Sequence, residues 1–243
     1  MNEVLEKVYE ISKQTNALNA DDLETLKRGS KGFDNQTLFG NLTKNIDGII
    51  GLHANQHIPQ IIGSIFEHAS SFEEGEQTTN HYFDIAKNFW EYVRGRYAYS
   101  TGGVGKGEKF TNPYAQAASI GTDGEKDSNC ETCCVYNLLK LTAQLNSYDP
   151  DNAEYMDYYE KGLYNQILAS QNPDVSSDAH NGVTYMLPIG PGGERGFGDD
   201  FYDFSCCCGT GMENHVKYQE ATYFKSKDNS TLYVGLYLPT TLN

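Results

Sequence analysis

Apolar residues recur at the three- and four-residue spacing of an α-helix in four parts of the chain, at 4–11, 83–93, 131–146 and 153–170. The last two parts are separated by 146–152, a run with Asp-Pro and Asn residues that is typical of a turn. Two amphipathic helices joined by such a turn form an antiparallel hairpin. The pattern therefore predicts a mainly helical chain, and it predicts no element over the polar stretch 22–47.

The period of the apolar positions changes to two after residue 172. Residues 183–188 read as a short strand, and Leu232 to Leu238 alternate between apolar and other positions as a half-buried strand does. A strand at the end of the chain needs sheet partners, which the sequence barely supplies. We therefore expect the chain to be cut from a longer protein.

The composition limits the partners of the protein. With 243 residues, 38% hydrophobic and 21% charged, the chain can bury a core of its own. Its net charge of −15 disfavours nucleic acid and anionic membrane surfaces as partners, because both require a basic face. No apolar run reaches the roughly 18 residues of a membrane-spanning helix. The many aromatic residues, 18 Tyr and 11 Phe, suit either a carbohydrate-binding cleft or an ordinary core.

The cysteines form two tight clusters, and both clusters favour metal or thiolate chemistry. Adjacent α-carbons lie about 3.8 Å apart, below the roughly 4.4 Å that a relaxed disulfide requires. With Glu131 they offer soft sulfur donors and a carboxylate, which is a zinc ligand set. Buried reduced thiols and redox chemistry remain alternatives on spacing alone. The six cysteines are Cys130, Cys133, Cys134, Cys206, Cys207 and Cys208.

Glycine-rich loops lie at 100–108, 190–196 and 209–211. The first lacks the Gly-Lys-Ser/Thr ending of a phosphate-binding loop, so nucleotide binding is disfavoured. Its glycines allow the backbone to turn sharply and to present Glu108.

Four segments together resemble a known enzyme family. Leu-His-Ala-Asn-Gln-His-Ile-Pro at 52–59, Ser-Thr-Gly-Gly-Val-Gly with Gly-Glu-Lys-Phe at 100–110, Cys-Glu-Thr-Cys-Cys at 130–134, and Cys-Cys-Cys-Gly-Thr-Gly-Met-Glu-Asn-His at 206–215 are similar to successive signatures of glycoside hydrolase family 127, the β-L-arabinofuranosidases. The first five residues resemble an internal helix of that family. The resemblance covers nearly the whole chain in order.

The resemblance implies a fold and a division of the chain. The fold would be mainly α, a partial (α/α)₆ barrel with β-strands at the C-terminal end leading toward a β-sandwich. Residues 1–225 would be the partial catalytic barrel, and 226–243 would start the β-sandwich region. Since the true N-terminus is then expected to be missing, both a cytoplasmic and a secreted location stay open.

The resemblance also implies a reaction and the residues that perform it. The reaction is the retaining, exo-acting hydrolysis of terminal β-L-arabinofuranosides, such as those of plant glycoproteins. Cys206 would be the nucleophile, Glu108 the general acid/base, and His53 and Glu131 would contact the sugar. Zn²⁺ would be held by Glu131, Cys133, Cys206 and Cys207.

Two alternatives stay open at this point. The third cysteine of the 206–208 run makes Cys207 and Cys208 a competing ligand pair, although the following Gly-Thr-Gly-Met-Glu-Asn favours Cys206 and Cys207. The second alternative is a non-catalytic, zinc-stabilised domain that binds carbohydrate or is an inactive fragment.

Overall fold

The computed structural model describes residues 1–73, 80–120, 129–174, 182–197 and 205–242, and this part of the chain is mainly helical. Two helical stretches continue past their α-helices as π-helix, and one of these ends in a 3-10 turn. None of the helices in the described ranges has the length and apolar character to cross a membrane. The α-helices are α1 (Asn2–Thr15), α2 (Ala20–Lys31), α3 (Gln36–Thr43), α4 (Ala54–Glu73), α5 (Asn80–Tyr92), α6 (Gln116–Ser119), α7 (Thr132–Tyr148), α8 (Ala153–Gly162) and α9 (Cys206–Lys217), with π-helix at Val93–Tyr97 and Leu163–Ile167 and 3-10 helix at Leu168–Ser170.

The four predicted helices are confirmed, and the stretch 22–47 contains helix that the apolar pattern did not indicate. Most of α2 and all of α3 lie there. Side-chain caps set where they begin: Asn19 accepts a hydrogen bond from the backbone N–H of Asp22, and Asn35 accepts one from Leu38. Such caps satisfy backbone donors that the first turn of a helix leaves unpaired.

The core lies where α4, α5, α7 and α8 meet. Ile58, Ile61 and Ile65 of α4 are buried along one face of that helix. Trp90 of α5 is also buried, and its indole N–H donates to Thr142 Oγ1 of α7 at 2.8 Å. These contacts fix α7, the helix that carries two of the cysteines, against the rest of the domain.

Helix α1 shows the reverse of the expected orientation. The apolar stripe that predicted it is largely on the outside, with Val4 52% and Ile11 60% exposed. Its buried face carries polar residues instead, Asn2, Glu6 and Ser12.

The polar face of α1 contributes Glu6 to an acidic cluster with Asp34 and Glu67, in which Glu6 and Glu67 are buried and Asp34 is partly buried. Ser70 Oγ donates to Glu6 at 2.6 Å, and Ser30 Oγ donates to Glu67 at 2.7 Å. Burial and the neighbouring Asp34 carboxyl raise the pKa of Glu67 to about 8. Burial also raises the pKa of Asp34.

The strands form two antiparallel pairs, β1 (Asn129–Glu131) with β2 (Met186–Pro188) and β3 (Tyr223–Lys225) with β4 (Leu232–Val234). The sequence was expected to supply hardly any partner for the last strand, but β3 pairs with it. That last strand is also shorter than the alternation suggested. The β1–β2 pair matters for the site, since it sets Glu131 opposite Met186 just before α7 begins.

Candidate active site

A tightly turned loop presents Glu108. Gly102, Gly105 and Gly107 have φ angles of 84°, 76° and 54°, and Glu108 itself has a φ of 67°. Glycine adopts this left-handed region freely, whereas a residue with a side chain is strained there by about 1–2 kcal/mol. Strain of this kind concentrates at functional positions.

Two side chains flank the carboxylate of Glu108. The Tyr185 hydroxyl donates to Oε1, and His53 Nε2 lies 3.4 Å from Oε2. The backbone also joins these segments, because the N–H of Ala54 donates to the carbonyl of Glu108 at 2.8 Å. Burial, and then the bond to Glu108, raise the pKa of Tyr185, so the phenol keeps its proton and acts as the donor.

Glu131 and Cys133 lie where β1 turns into α7. Glu131 ends the strand and precedes the helix, and it is fully buried. The N–H of Thr132 donates to the carbonyl of Tyr185 at 3.1 Å, which fixes this junction against β2. Cys133 therefore lies in the first turn of α7, facing inward.

Cys206 and Cys207 lie in the first turn of α9, which packs against α7. Cys207 Sγ is 3.0 Å from Cys133 Sγ, so the two helices begin at the same place. The partial positive charge of each helix N-terminus favours a thiolate there. Further along, the Tyr136 hydroxyl donates to Glu213 and joins the same two helices.

The Glu/Cys cluster, defined as Glu131, Cys133, Cys206 and Cys207, has one donor atom from each residue within 4.8 Å of every other. Within the described ranges, no other group of three or more His, Cys, Asp or Glu residues has its donor atoms this close together. Burial raises the pKa of Glu131 and, with the neighbouring Cys207, raises the pKa of Cys206 to about 11. The protonated forms of Glu131, Cys133 and Cys206 are thus favoured, whereas the hydrogen bond with Cys133 lowers the pKa of Cys207. A bound cation would favour the deprotonated form of all four groups.

A family comparison decides what kind of protein this is. The model of the β-L-arabinofuranosidase GH127 catalytic domain matches residues 1–220. The chain belongs to this family. It is therefore a glycoside hydrolase, and its substrate is a carbohydrate. A comparison with curated proteins found no match.

The GH127 chain brings together the residues that the sequence singled out. Glu131, Cys133, Cys206 and Cys207 converge, and His53 lies beside Glu108. The geometry of the Glu/Cys cluster is compatible with a bound metal ion.

Cys208, the competing ligand, is not in the Glu/Cys cluster, and its Sγ lies 3.4 Å from Ser205 Oγ. The other two cysteines are buried, and Cys134 Sγ donates to Glu131 Oε2 at 3.4 Å.

Sequence reasoning missed Tyr185, which links the two halves of the site. Its hydroxyl bonds Glu108, and its backbone carbonyl accepts from Thr132 and lies 3.7 Å from Cys207 Sγ. The one available signal was its place within the predicted strand 183–188, which indicated a strand and no chemistry.

Proposed function

We propose that this GH127 domain is a retaining exo-glycosidase that releases terminal β-L-arabinofuranose. The observation that carries the proposal is the single site in which Tyr185 touches both the Glu108 carboxylate and the turn that holds the Glu/Cys cluster. A glutamate and a thiolate that face the same substrate supply an acid/base and a nucleophile, which are the two groups that retaining hydrolysis requires.

Zn²⁺ is the ion that we propose for the Glu/Cys cluster. Tetrahedral zinc with about 2.3 Å bonds to sulfur places two sulfurs roughly 3.8 Å apart, and a sulfur and an oxygen roughly 3.6 Å apart. Cys206 Sγ lies 4.0 Å from Cys207 Sγ and 3.5 Å from Glu131 Oε1, close to both separations. Cys133 and Cys207, at 3.0 Å, would separate slightly. When bound, zinc keeps the cysteines deprotonated at neutral pH.

Exposure distinguishes Cys206 as the nucleophile. Cys133, Cys207 and Glu131 are buried, whereas Cys206 is exposed and faces solvent from the first turn of α9. In the first step the Cys206 sulfur bonds to the anomeric carbon as the carbon–oxygen bond breaks, and Glu108 gives its proton to the departing oxygen. In the second step Glu108 takes a proton from water, the water oxygen bonds to the anomeric carbon, and the sulfur leaves as a thiolate.

His53 is the residue that we assign to sugar contact. Glu131, for which the family resemblance also implied such a contact, is fully buried, so we propose it only as a ligand in the Glu/Cys cluster. The side chain of His53 is 28% exposed, so a bound sugar can reach the ring from solvent. Its Nε2 faces Glu108, which places the ring at the edge of the reacting centre. The substrates would be arabinofuranosides of plant glycans.

The fold that we propose around this site is the family's (α/α)₆ barrel. Residues 1–225 would be part of that barrel, and 226–243 would start the β-sandwich region. The supporting observations are the helical hairpins that pack around α4 and α7, and the change to paired strands after α9.

The test uses the complete protein with 4-nitrophenyl β-L-arabinofuranoside, and it compares Cys206→Ser with Cys208→Ser. We expect the first variant to lose arabinose release by at least about 10³-fold, because the nucleophile is gone, and the second to keep it. Glu108→Gln should also reduce the rate, most strongly on substrates with poor leaving groups.

Full activity in Cys206→Ser would refute the assigned nucleophile. Loss in Cys208→Ser alone would identify Cys207 and Cys208 as the ligand pair. NMR of the first-formed sugar should show the β-anomer, and the α-anomer would refute retention. A wild-type protein that binds zinc and releases no sugar would instead be the non-catalytic zinc-stabilised domain.

A further inference from the structure

The two carboxyl oxygens of Glu108 have different neighbours because Tyr185 contacts only one of them. Its hydroxyl occupies Oε1, while Oε2 lies beside His53 at the longer distance of 3.4 Å. We infer that Tyr185 is a positioning residue that holds the carboxyl group by Oε1 and thereby reserves Oε2 for proton exchange with the leaving oxygen. This inference rests on the proposed function and adds to it a residue that the sequence did not indicate.

Glu108 needs such support because its own segment does little to orient the carboxyl group. The residue lies on a loop of positive φ angles, and its side chain is 36% exposed. A glutamate side chain rotates about three bonds, so a carboxyl group held only by its loop would sample several directions. Misplacement of a reacting group by about 1 Å can cost about 100-fold in rate.

Tyr185 is itself held rigidly, which makes it fit for this task. Its carbonyl accepts from the N–H of Thr132 at 3.1 Å and from Thr132 Oγ1 at 3.2 Å, and the residue directly precedes β2. The same carbonyl lies 3.7 Å from Cys207 Sγ. The phenol therefore reaches Glu108 from a backbone that is fixed to the first turns of α7 and α9, so the acid/base is aligned with the nucleophile's helix.

The proton path follows from this division. In the first step the proton on Oε2 moves to the glycosidic oxygen, and the carboxylate that remains keeps accepting from Tyr185 through Oε1. In the second step the proton of the attacking water returns to Oε2. Tyr185 keeps its own proton throughout, so it neither touches the substrate in this scheme nor changes charge.

The test is Tyr185→Phe in the complete, zinc-loaded protein, with two substrates that differ in leaving group. Methyl β-L-arabinofuranoside needs proton donation, whereas the 4-nitrophenyl glycoside leaves readily without it. We expect kcat/KM to fall about 10-fold or more on the methyl glycoside and less than about 3-fold on the 4-nitrophenyl glycoside, with zinc content unchanged. This parameter reports the first chemical step on both substrates.

The matched control is Tyr158→Phe. Tyr158 is buried, and its hydroxyl donates to the carbonyl of Gly102 in the same glycine loop at 2.8 Å, but it does not touch Glu108. Loss of the Tyr158 hydroxyl should change kcat/KM by the same factor on both substrates, since this hydroxyl supports only the backbone of the loop. A second variant, Tyr185→Gln, retains a hydrogen-bond donor at this position. Its kcat/KM on the methyl glycoside should lie between the values of the wild type and Tyr185→Phe.

Equal losses on both substrates in Tyr185→Phe, or no loss on either, would overturn the inference. So would a Tyr185→Gln variant that discriminates between the substrates as strongly as Tyr185→Phe does. These results are separate from a failure of the proposed function, because in that case the wild-type protein would release arabinose from neither glycoside.

Discussion

Replacing Glu67 by glutamine should stabilise the protein, and increasingly so as the pH rises. Glu67 is a buried residue of α4 in the acidic cluster, where burial and the Asp34 carboxyl raise its pKa from 4.5 to about 8. A carboxyl group whose pKa is raised on folding stabilises the native state fully when the pH is below the pKa of that group in the unfolded chain. That stabilisation is lost as the pH rises through the pKa of the group in the folded protein. Glutamine resembles the protonated carboxyl and carries no charge at any pH.

The magnitude follows from the span between the two pKa values. That span is about 3.5 pH units, and each unit corresponds to about 1.36 kcal/mol, which sets an upper bound of about 5 kcal/mol. Because Asp34 also has a raised pKa and lies against Glu67, the two groups share the effect. We expect Glu67→Gln to raise the free energy of unfolding by about 2–4 kcal/mol at pH 9 and by less than about 0.5 kcal/mol at pH 4.5. Ser30 can keep its hydrogen bond, since the amide oxygen replaces Oε1.

The assay is urea unfolding at pH 4.5, 7 and 9, followed by circular dichroism. Glu160→Gln is the matched control, because Glu160 is exposed on α8 and the same change there should alter stability by less than about 0.5 kcal/mol. A Glu67→Gln variant that is less stable than wild type at pH 9, or whose effect does not change with pH, would refute the reasoning. Either result would mean that Glu67 is ionised and well paired in the native protein.

Three further predictions concern the loop and the metal. Glu108→Gly should be more stable than Glu108→Ala by about 1 kcal/mol in thermal unfolding, because only glycine relieves the positive φ; equal stabilities would deny the strain. Gly105→Ala should destabilise by about 1–3 kcal/mol, since its Cβ would lie 3.0 Å from Cys134 Sγ and 3.2 Å from Ala54 Cβ. Gly107→Ala, with open space around the new Cβ, should cost less, and the reverse order would contradict the packing argument. Removal of metal by a chelator should lower the Tm by roughly 8–16 °C if free zinc is about 1,000 times its Kd, and an unchanged Tm would argue against a bound ion.

Helices were predictable where the buried stripe is apolar and poorly predictable elsewhere. The helices α5, α7 and α8 pack apolar faces into the core, so their pattern in the sequence is strong. By contrast, α2 is mainly exposed, and its start depends on the capping hydrogen bond that the Asn19 side chain accepts from the N–H of Asp22. The orientation of α1 was hidden for another reason: pattern reasoning assumes that the apolar face is buried, whereas here Glu6 faces inward and Val4 faces outward.

The sequence indicated the types of side chain that form the candidate site, but it did not indicate the contacts that join them. Clustered cysteines beside Glu131 favour metal or thiolate chemistry because adjacent cysteines do not form relaxed disulfides, and the structure brings four of these side chains within metal-binding distance. The contact between Tyr185 and Glu108 depends on how β1 pairs with β2 and on how α7 lies against the glycine loop, and such long-range pairing leaves no local trace in the sequence. The part that local sequence does not encode is therefore the geometry that joins Glu108 to the Glu/Cys cluster.

The meeting of two helix starts at the Glu/Cys cluster also has a consequence for chain entropy. Cys133 and Cys207 are 74 residues apart in the sequence, so a cation held by both closes a long loop. A cross-link of that length restricts the unfolded ensemble by roughly 4 kcal/mol in the usual polymer treatment. An ion bound there would cross-link this domain as a disulfide does in many secreted domains, and it would do so without oxidising the cysteines.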